Sequence, residues 1–360
     1  MAYTTIDRPT DYFRTKTYNG TGSNAAITFD ETDNNMQPDF LWGKCRGSSE
    51  TNKRHVLTDS VRGINGQLAS NTDTLETTYT NSFTAFGSNG FSVGDDNGVN
   101  ESSNTHLAWC WKAGTTGSGT TTGSGTGKAY SYSVNTTSGF SIVKYVGNGT
   151  AGHTIPHHLG AAPSMVICKS ITENRGFPIQ HVGLTSAAYA IFLSQSNGQA
   201  EQFSSGSTNT WNNTAASSTV VTLGNNANNN SNDQSYIMYS FAEKQGYSKF
   251  GSYVGNGNAD GTFVHTGFKP AWVLCKTSSI NGEDWIVSDN KRNLFNETTI
   301  ALFPNSASGD QSSNSIDMLS NGFKMRTTGT YRNQSGVTYI YMVFAESPFV
   351  NSNDVPNNAR

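Results

Sequence analysis

Three histidines within six residues, His153, His157 and His158, form the densest group of metal-ligating side chains in the sequence. Zinc needs three or four converging His, Cys or carboxylate ligands. Only His158 has a counterpart, His265, each five residues before a proline that opens a strand, and Asp33 holds that place before Pro38. Turn histidines that bond backbone are therefore the expectation, with no metal and no cofactor. Cys168 and Cys275 sit inside apolar runs and read as small buried hydrophobes. Cys45 and Cys110 could approach each other, but neither has a flanking histidine to make it a nucleophile, so free buried thiols are expected. A glycosidase needs two carboxylates about 5 to 10 Å apart across a sugar. The pairs repeated along the chain are Glu243 with Glu346, where Ala113 stands first, and Asp59 with Asp289, where His181 stands between. A carboxylate shared by copies of one unit reads as a turn or cap residue rather than half of a catalytic pair. No nucleophile elbow, P-loop or dinucleotide fingerprint is present, so no enzyme activity and no catalytic residue are expected. GDDNGVNES, from Gly94 to Ser102, is dense in oxygen ligands but lacks the spacing and closing Glu of a calcium loop, and reads as an Asx-rich loop. Aromatic faces also stack on sugars. Trp42, Trp109, Trp111 and Trp272 fall in core strands and Trp285 at the start of another, which leaves Trp211, in SSGSTNTWNNT, as the one ligand-binding candidate.

These residues are carried by a unit that recurs three times. GFSIVKYVGNGTAGHTIPHHLGAAPSMVICKS from Gly139 matches GYSKFGSYVGNGNADGTFVHTGFKPAWVLCKT from Gly246, and a diverged copy runs from Asp11. Each has a tyrosine (Tyr18, Tyr145, Tyr253), a Gly-rich turn, and a proline opening a strand. Lys44, Lys169 and Lys276 each lie six residues after Pro38, Pro163 and Pro270. The last aromatics, Trp111, Phe241 and Phe344, lie 73, 78 and 74 residues after those prolines. From Trp111 to Pro163 is 52 residues but from Phe241 to Pro270 only 29, and the excess of 23 matches the Gly/Ser/Thr-rich stretch after Lys112. That stretch has flexible-linker composition, followed by AYSYSV as one additional strand. The divisions are 1–113, 139–245 and 246–349 for the repeats, 114–138 for linker plus strand, and 350–360 for a tail.

Asn-Gly beside an aromatic strand end in YVGNG is a hairpin signal. Short runs such as SMVICK, AWVLCK, YIMYSF and YIYMVFAE read as buried strands. No window has sustained helical periodicity with caps, and at most a helical turn is expected around Asp289–Phe295 or Ser60–Leu68. The fold expected is all-β: three tandem β-sandwiches of jelly-roll or lectin type, each owning a core, arranged as beads. A β-helix is the competing architecture.

Composition sets the outer limits. Of 360 residues, 34% are hydrophobic and 14% charged, 37 are Gly, and the formal net charge is −3. So little charge excludes a coiled coil, and 11% aromatic residues argue against disorder despite the polarity. With 23 basic and 26 acidic residues and no long basic run, neither nucleic acid nor an anionic membrane is an expected partner. No apolar stretch is long enough for a membrane helix. MAYTTIDRPTDYFRTK lacks the pattern of a secretory signal, so synthesis in a cytoplasm is expected.

MAYTTID, QPDFLWGKCR, HVLTDSVRG, SFTAFGSNGFSVG, LAWCWKAG, YVGNGTAG, GYSKFGSYVGNGNADGTFVHTGFKP and SNGFKMRTTG together resemble a family of tandem-repeat, tail-fibre-like virion proteins of marine tailed phages, cyanophages especially. The resemblance spans about Ala2 to Phe349 and carries over no catalytic or ligand-binding residue. It implies a virion structural protein, first a tail fibre or spike component that attaches to a host-surface glycan or protein receptor. A capsid decoration or head-fibre protein is the alternative, and a carbohydrate-active enzyme the third reading. Other virion proteins are the implied partners, and homo-oligomers the implied state, homotrimers being common among phage fibres. The implied location is the virion, the tail before the capsid.

Overall fold

The computed structural model describes residues 3–47, 53–201 and 209–358. The fold is all-β and sandwich-like, built of antiparallel sheets. Among the described residues six sheets are formed, of six, three, eight, three, four and four strands. They fall into three pairs. In each pair an inner sheet covers an outer one, the inner being the larger in the first two pairs and the two being equal in the third, and between them lies a separate apolar core, such as Leu41, Val56, Phe91 and Cys110 in the first pair. Val143, Val166, Val221 and Met238 do the same in the second pair, and Val273, Ile316, Phe323 and Val343 in the third.

The inner sheets share one pairing pattern. The last strand lies between the first strand and the strand opened by the proline. Thus Thr105–Trp111 pairs with Phe13–Asn19 on one side and Phe40–Cys45 on the other. Ser235–Phe241 pairs with Phe140–Val146 and Met165–Ser170, and Thr338–Pro348 with Ser248–Val254 and Phe268–Thr277.

Side chains alternate across a strand, and here both faces are covered. Ala108 and Cys110 face the outer sheet of their own pair, while Leu107, Trp109 and Trp111 face a common centre. The same centre receives Ile237, Tyr239 and Phe241 from the second inner sheet and Ile340, Met342 and Phe344 from the third. Burial on two faces explains the continuous apolar runs. The last aromatics of the three pairs meet there: ring centroids are 6.3 Å apart for Trp111 and Phe241, 5.6 Å for Trp111 and Phe344, and 6.0 Å for Phe241 and Phe344. The expectation of beads is thereby corrected. The three sheet pairs close around one core, because each inner sheet is apolar on its second face and must cover it.

Three smaller expectations also change. Thr115–Thr120, expected as flexible linker, is a strand paired with Ala129–Asn135, and the two extend the second inner sheet. Gly117 and Gly119 lie under the Tyr132 and Tyr130 rings of the facing strand, where a Cβ would come within 2.6 and 2.8 Å of the tyrosine oxygens. The glycines thus provide a bed for aromatic rings. The helical turns fall at Asn97–Asn100 and Ala227–Asn230, capped by the side chains of Asp96 and Asn226, not around Asp289 or Ser60. Gly63–Ala69 is a strand. Finally, the YVGNG turns do not close hairpins. Phe140–Val146 and His153–Pro156, which flank the first of them, belong to different sheets, so the turn carries the chain across the sandwich.

Candidate functional site

The residues repeated along the sequence are the natural candidates for function, and their geometry is the same in all three sheet pairs. At one end of each inner sheet the shared tyrosine turns its hydroxyl inward. Tyr18 donates to the Val99 carbonyl at 2.6 Å, Tyr145 to that of Asn229 at 2.7 Å and Tyr253 to that of Arg332 at 2.8 Å. The residue after each acceptor is a fully buried asparagine: Asn100, Asn230, Asn333. Each Oδ1 accepts from the backbone N–H in the middle of the Gly-rich turn, at Thr21 (2.9 Å), Asn148 (3.0 Å) and Asn256 (3.1 Å). Each Nδ2 donates to backbone carbonyls, those of Gly94, Gly224 and Thr327 among them. Gly20, Gly147 and Gly255 start these turns because the backbone after the asparagine passes against them. A Cβ would lie 1.9 Å from the Glu101 oxygen, 2.4 Å from that of Ser231 and 2.3 Å from that of Gln334. The first copy, with Thr21 where the others have Asn, keeps the same turn.

Sequence reasoning missed these asparagines. The signal was present: each stands eleven residues before the last aromatic, at 100 and 111, 230 and 241, 333 and 344. Buried amides with all their hydrogen bonds made fix a unique backbone arrangement.

The shared lysines join neighbouring sheet pairs. All three are buried, and each ammonium donates to one carbonyl of its own pair and one of the next. Lys44 bonds Lys53 and Ala307 (both 2.8 Å), Lys169 bonds Arg175 and Asp73 (2.9 Å), and Lys276 bonds Thr277 and Ser196 (both 3.1 Å). The donors run first to third, second to first and third to second, so the ring closes. Burial pushes each ammonium down to about 8.

The turn after the next strand makes the second set of joins. Asp59 accepts from the N–H groups of Val61 and Arg62, holds the Arg62 guanidinium at 2.6 Å, and accepts from the Tyr239 hydroxyl at 2.8 Å. Asp289 does the same with Lys291, Arg292 (2.7 Å) and the Trp109 indole N–H (3.1 Å). At His181 the second pair departs: Nδ1 accepts from Gly183 N–H at 2.9 Å and Nε2 donates to the Tyr341 carbonyl at 3.1 Å, with Leu184 in place of arginine.

The other sequence candidates are dispersed. His153 bridges Asn230 and Thr121, His157 bridges the Leu159 N–H and the Ser217 carbonyl, and His158 stacks on Tyr132 at 3.8 Å and bonds the Tyr130 hydroxyl. Burial pushes His157 down to about 4. Among the described residues no group of three or more His, Cys, Asp or Glu is placed to hold a metal ion. All four cysteines are free and buried. Glu243 pairs with Lys249 at 2.6 Å, and Glu346 with Lys269 at 3.0 Å and Asn290 at 2.7 Å. In GDDNGVNES, Asp96 caps a helical turn and holds Arg54 at 2.9 Å, and Asp95 accepts from Asn81. Trp211, the sugar-stacking candidate, is corrected. It is 0% exposed, packed in the core of the second sheet pair with Val143, Val221 and Leu223, so neither ring face is open to a ligand.

The fold and these contacts define the class: an all-β protein of paired antiparallel sheets in which the recurrent polar side chains join sheet to sheet. The chain belongs to the family defined by the domain of unknown function DUF7483, whose model matches residues 8–348. No curated protein and no solved structure matches it.

Proposed function

We propose that this chain is a non-enzymatic structural protein of a phage virion, acting as a tail fibre or spike component that contributes to attachment at a host surface. The observation that carries the reading is the use made of the repeated polar residues. The tyrosines, asparagines, lysines and Asp–Arg pairs that recur along the chain are spent on buried contacts within and between sheet pairs. Selection for such contacts is selection for a rigid body. The chain is poor in charge, 14% of residues, and the surface around that body is rich in neutral amides and hydroxyls, suited to weak contacts multiplied by copy number. The resemblance to tail-fibre-like virion proteins supplies the particle. Purified protein is expected to adsorb to host cells and to block infection, and failure of both would remove the attachment role.

A second reading is favoured by the closure itself. Three sheet pairs around one axis in a single chain form a compact body rather than a long shaft, which suits a protein seated on a capsid as decoration. Labelled antibody on intact particles separates the two: label at the tail supports the first, label only on the capsid the second.

A further inference from the structure

We infer that copies of this chain associate head to tail, the Leu294–Phe295 tip of one seating in a pocket on the second sheet pair of the next. The tip follows the Asp289 turn. Phe295 is 77% exposed and Leu294 is 64% exposed, and among the described residues they are the only adjacent pair of large apolar side chains so open to solvent. The receiving pocket, of about 540 Å³, is formed by the turn that corresponds to the tip in the second sheet pair together with two loops. Ala162, Pro163, Leu184, Ala187, Ala215 and Ala216 give it apolar walls, and Val182 at its edge is 59% exposed.

Its two largest polar side chains, Gln180 and His181, are already committed. The Gln180 amide donates to the Thr214 carbonyl and accepts from Ala216 N–H, and both His181 nitrogens are bonded. Burial pushes His181 down to about 4, so among the described residues no charged side chain lines the pocket. At the tip, Lys291 is held by Glu31, and Arg292 by Asp289 and Asp310. Docking therefore removes apolar surface from water without stranding a charge.

Tip and pocket are different surfaces of one chain, so the contact is heterologous and propagates into rings or rows rather than stopping at a dimer. Two side chains bury far less than the roughly 1,200 to 2,000 Å² of a stable interface. A single contact is thus weak, and an open row is no stronger at each junction than a dimer, so association is expected only at high concentration. The inference stands whether or not the protein attaches to a host.

Sedimentation velocity over a concentration series into the millimolar range tests it with three proteins: the full chain, Phe295→Ser, and Ala187→Arg, with circular dichroism to confirm that each variant is folded. The full chain is expected to form species beyond the dimer. Each variant alone is expected to associate about tenfold more weakly or worse, as truncating or blocking an interface anchor does. An equimolar mixture of the two keeps one intact tip and one intact pocket, and is expected to form a one-to-one heterodimer that grows no further. A full chain that stays monomeric, variants that associate like the full chain, or a mixture that does not pair would each overturn the inference. Ala215→Arg, on another pocket wall, replaces Ala187→Arg if that variant is misfolded.

Discussion

The Asp59 and Asp289 turns on one hand, and the His181 turn on the other, do the same work with different chemistry. Each accepts from a backbone N–H two residues on, and each contacts the last strand of the neighbouring sheet pair. Two of them use a buried ion pair whose side chains are both 0% exposed. The third uses a neutral imidazole, with leucine where the arginine stands. The join therefore requires an acceptor at one atom and a bonding group at another, rather than charge. The difference shows in tolerance to change. Losing the aspartate strips a fully buried guanidinium of its buried partner and leaves it only a part-exposed carboxylate, Glu76 for Arg62 and Asp310 for Arg292, whereas losing the imidazole strands no charge.

Removing Asp289 has the largest expected effect. Asp289→Ala takes from Arg292 its fully buried partner at 2.7 Å, leaving it only the part-exposed Asp310, and leaves the Trp109 indole without an acceptor, a loss of about 3 kcal/mol, the low end for a broken buried pair; Asp59→Ala, which leaves Arg62 only Glu76, is expected to match it. Chemical denaturation reads both. His181→Ala is expected to cost less, about 1–3 kcal/mol, because two neutral hydrogen bonds are lost and no charge is stranded. Equal losses at 181 and 289 would dissolve the contrast. The double replacement Asp59→His with Arg62→Leu, which copies the second turn into the first, is expected to cost less than Asp59→Ala alone, a non-additivity visible in a mutant cycle.

The same groups also set a dependence on pH. His181 is held down to about 4 in the folded chain, against 6.5 ordinarily. The unfolded chain binds the proton first as pH falls, so this site's stability is full above about 6.5 and is lost toward 4. The slope of stability in that window is expected to be shallower in His181→Gln. The lysines act at the other end. With folded values of about 8 against 10.5, the unfolded chain holds more protons between those values, and stability contributed there rises with pH. Lysine side-chain NMR titration is expected to show three midpoints near 8, and midpoints near 10.5 would refute the burial account.

Much of the local structure was legible because local signals set it. SMVICK and YIMYSF, with their β-branched and aromatic residues, overlap the strands Met165–Ser170 and Ser235–Phe241 to within one residue at each end. The constant proline-to-lysine offset marked a true shared position. What it could not mark is where the lysine points, since Ala307, Asp73 and Ser196 lie far away in sequence. The common core was hidden for the same reason. Alternation tells which residues share a face, and both faces of Thr105–Trp111 are apolar, so nothing local says that one face meets two other sheets. Trp211 was misplaced because polar neighbours in sequence do not determine what an indole packs against in space. The Gly/Ser/Thr stretch after Lys112 was misjudged because its glycines are bedding for tyrosines on a strand further along.

The central claim is that three sheet pairs share one core and are locked by a closed ring of contacts, so that none unfolds alone. Scanning calorimetry tests it most directly. The account predicts a single transition whose calorimetric enthalpy equals its van't Hoff enthalpy, the mark of one cooperative unit. Resolved transitions, or a calorimetric enthalpy about three times the van't Hoff value, would mean independent units and would contradict it.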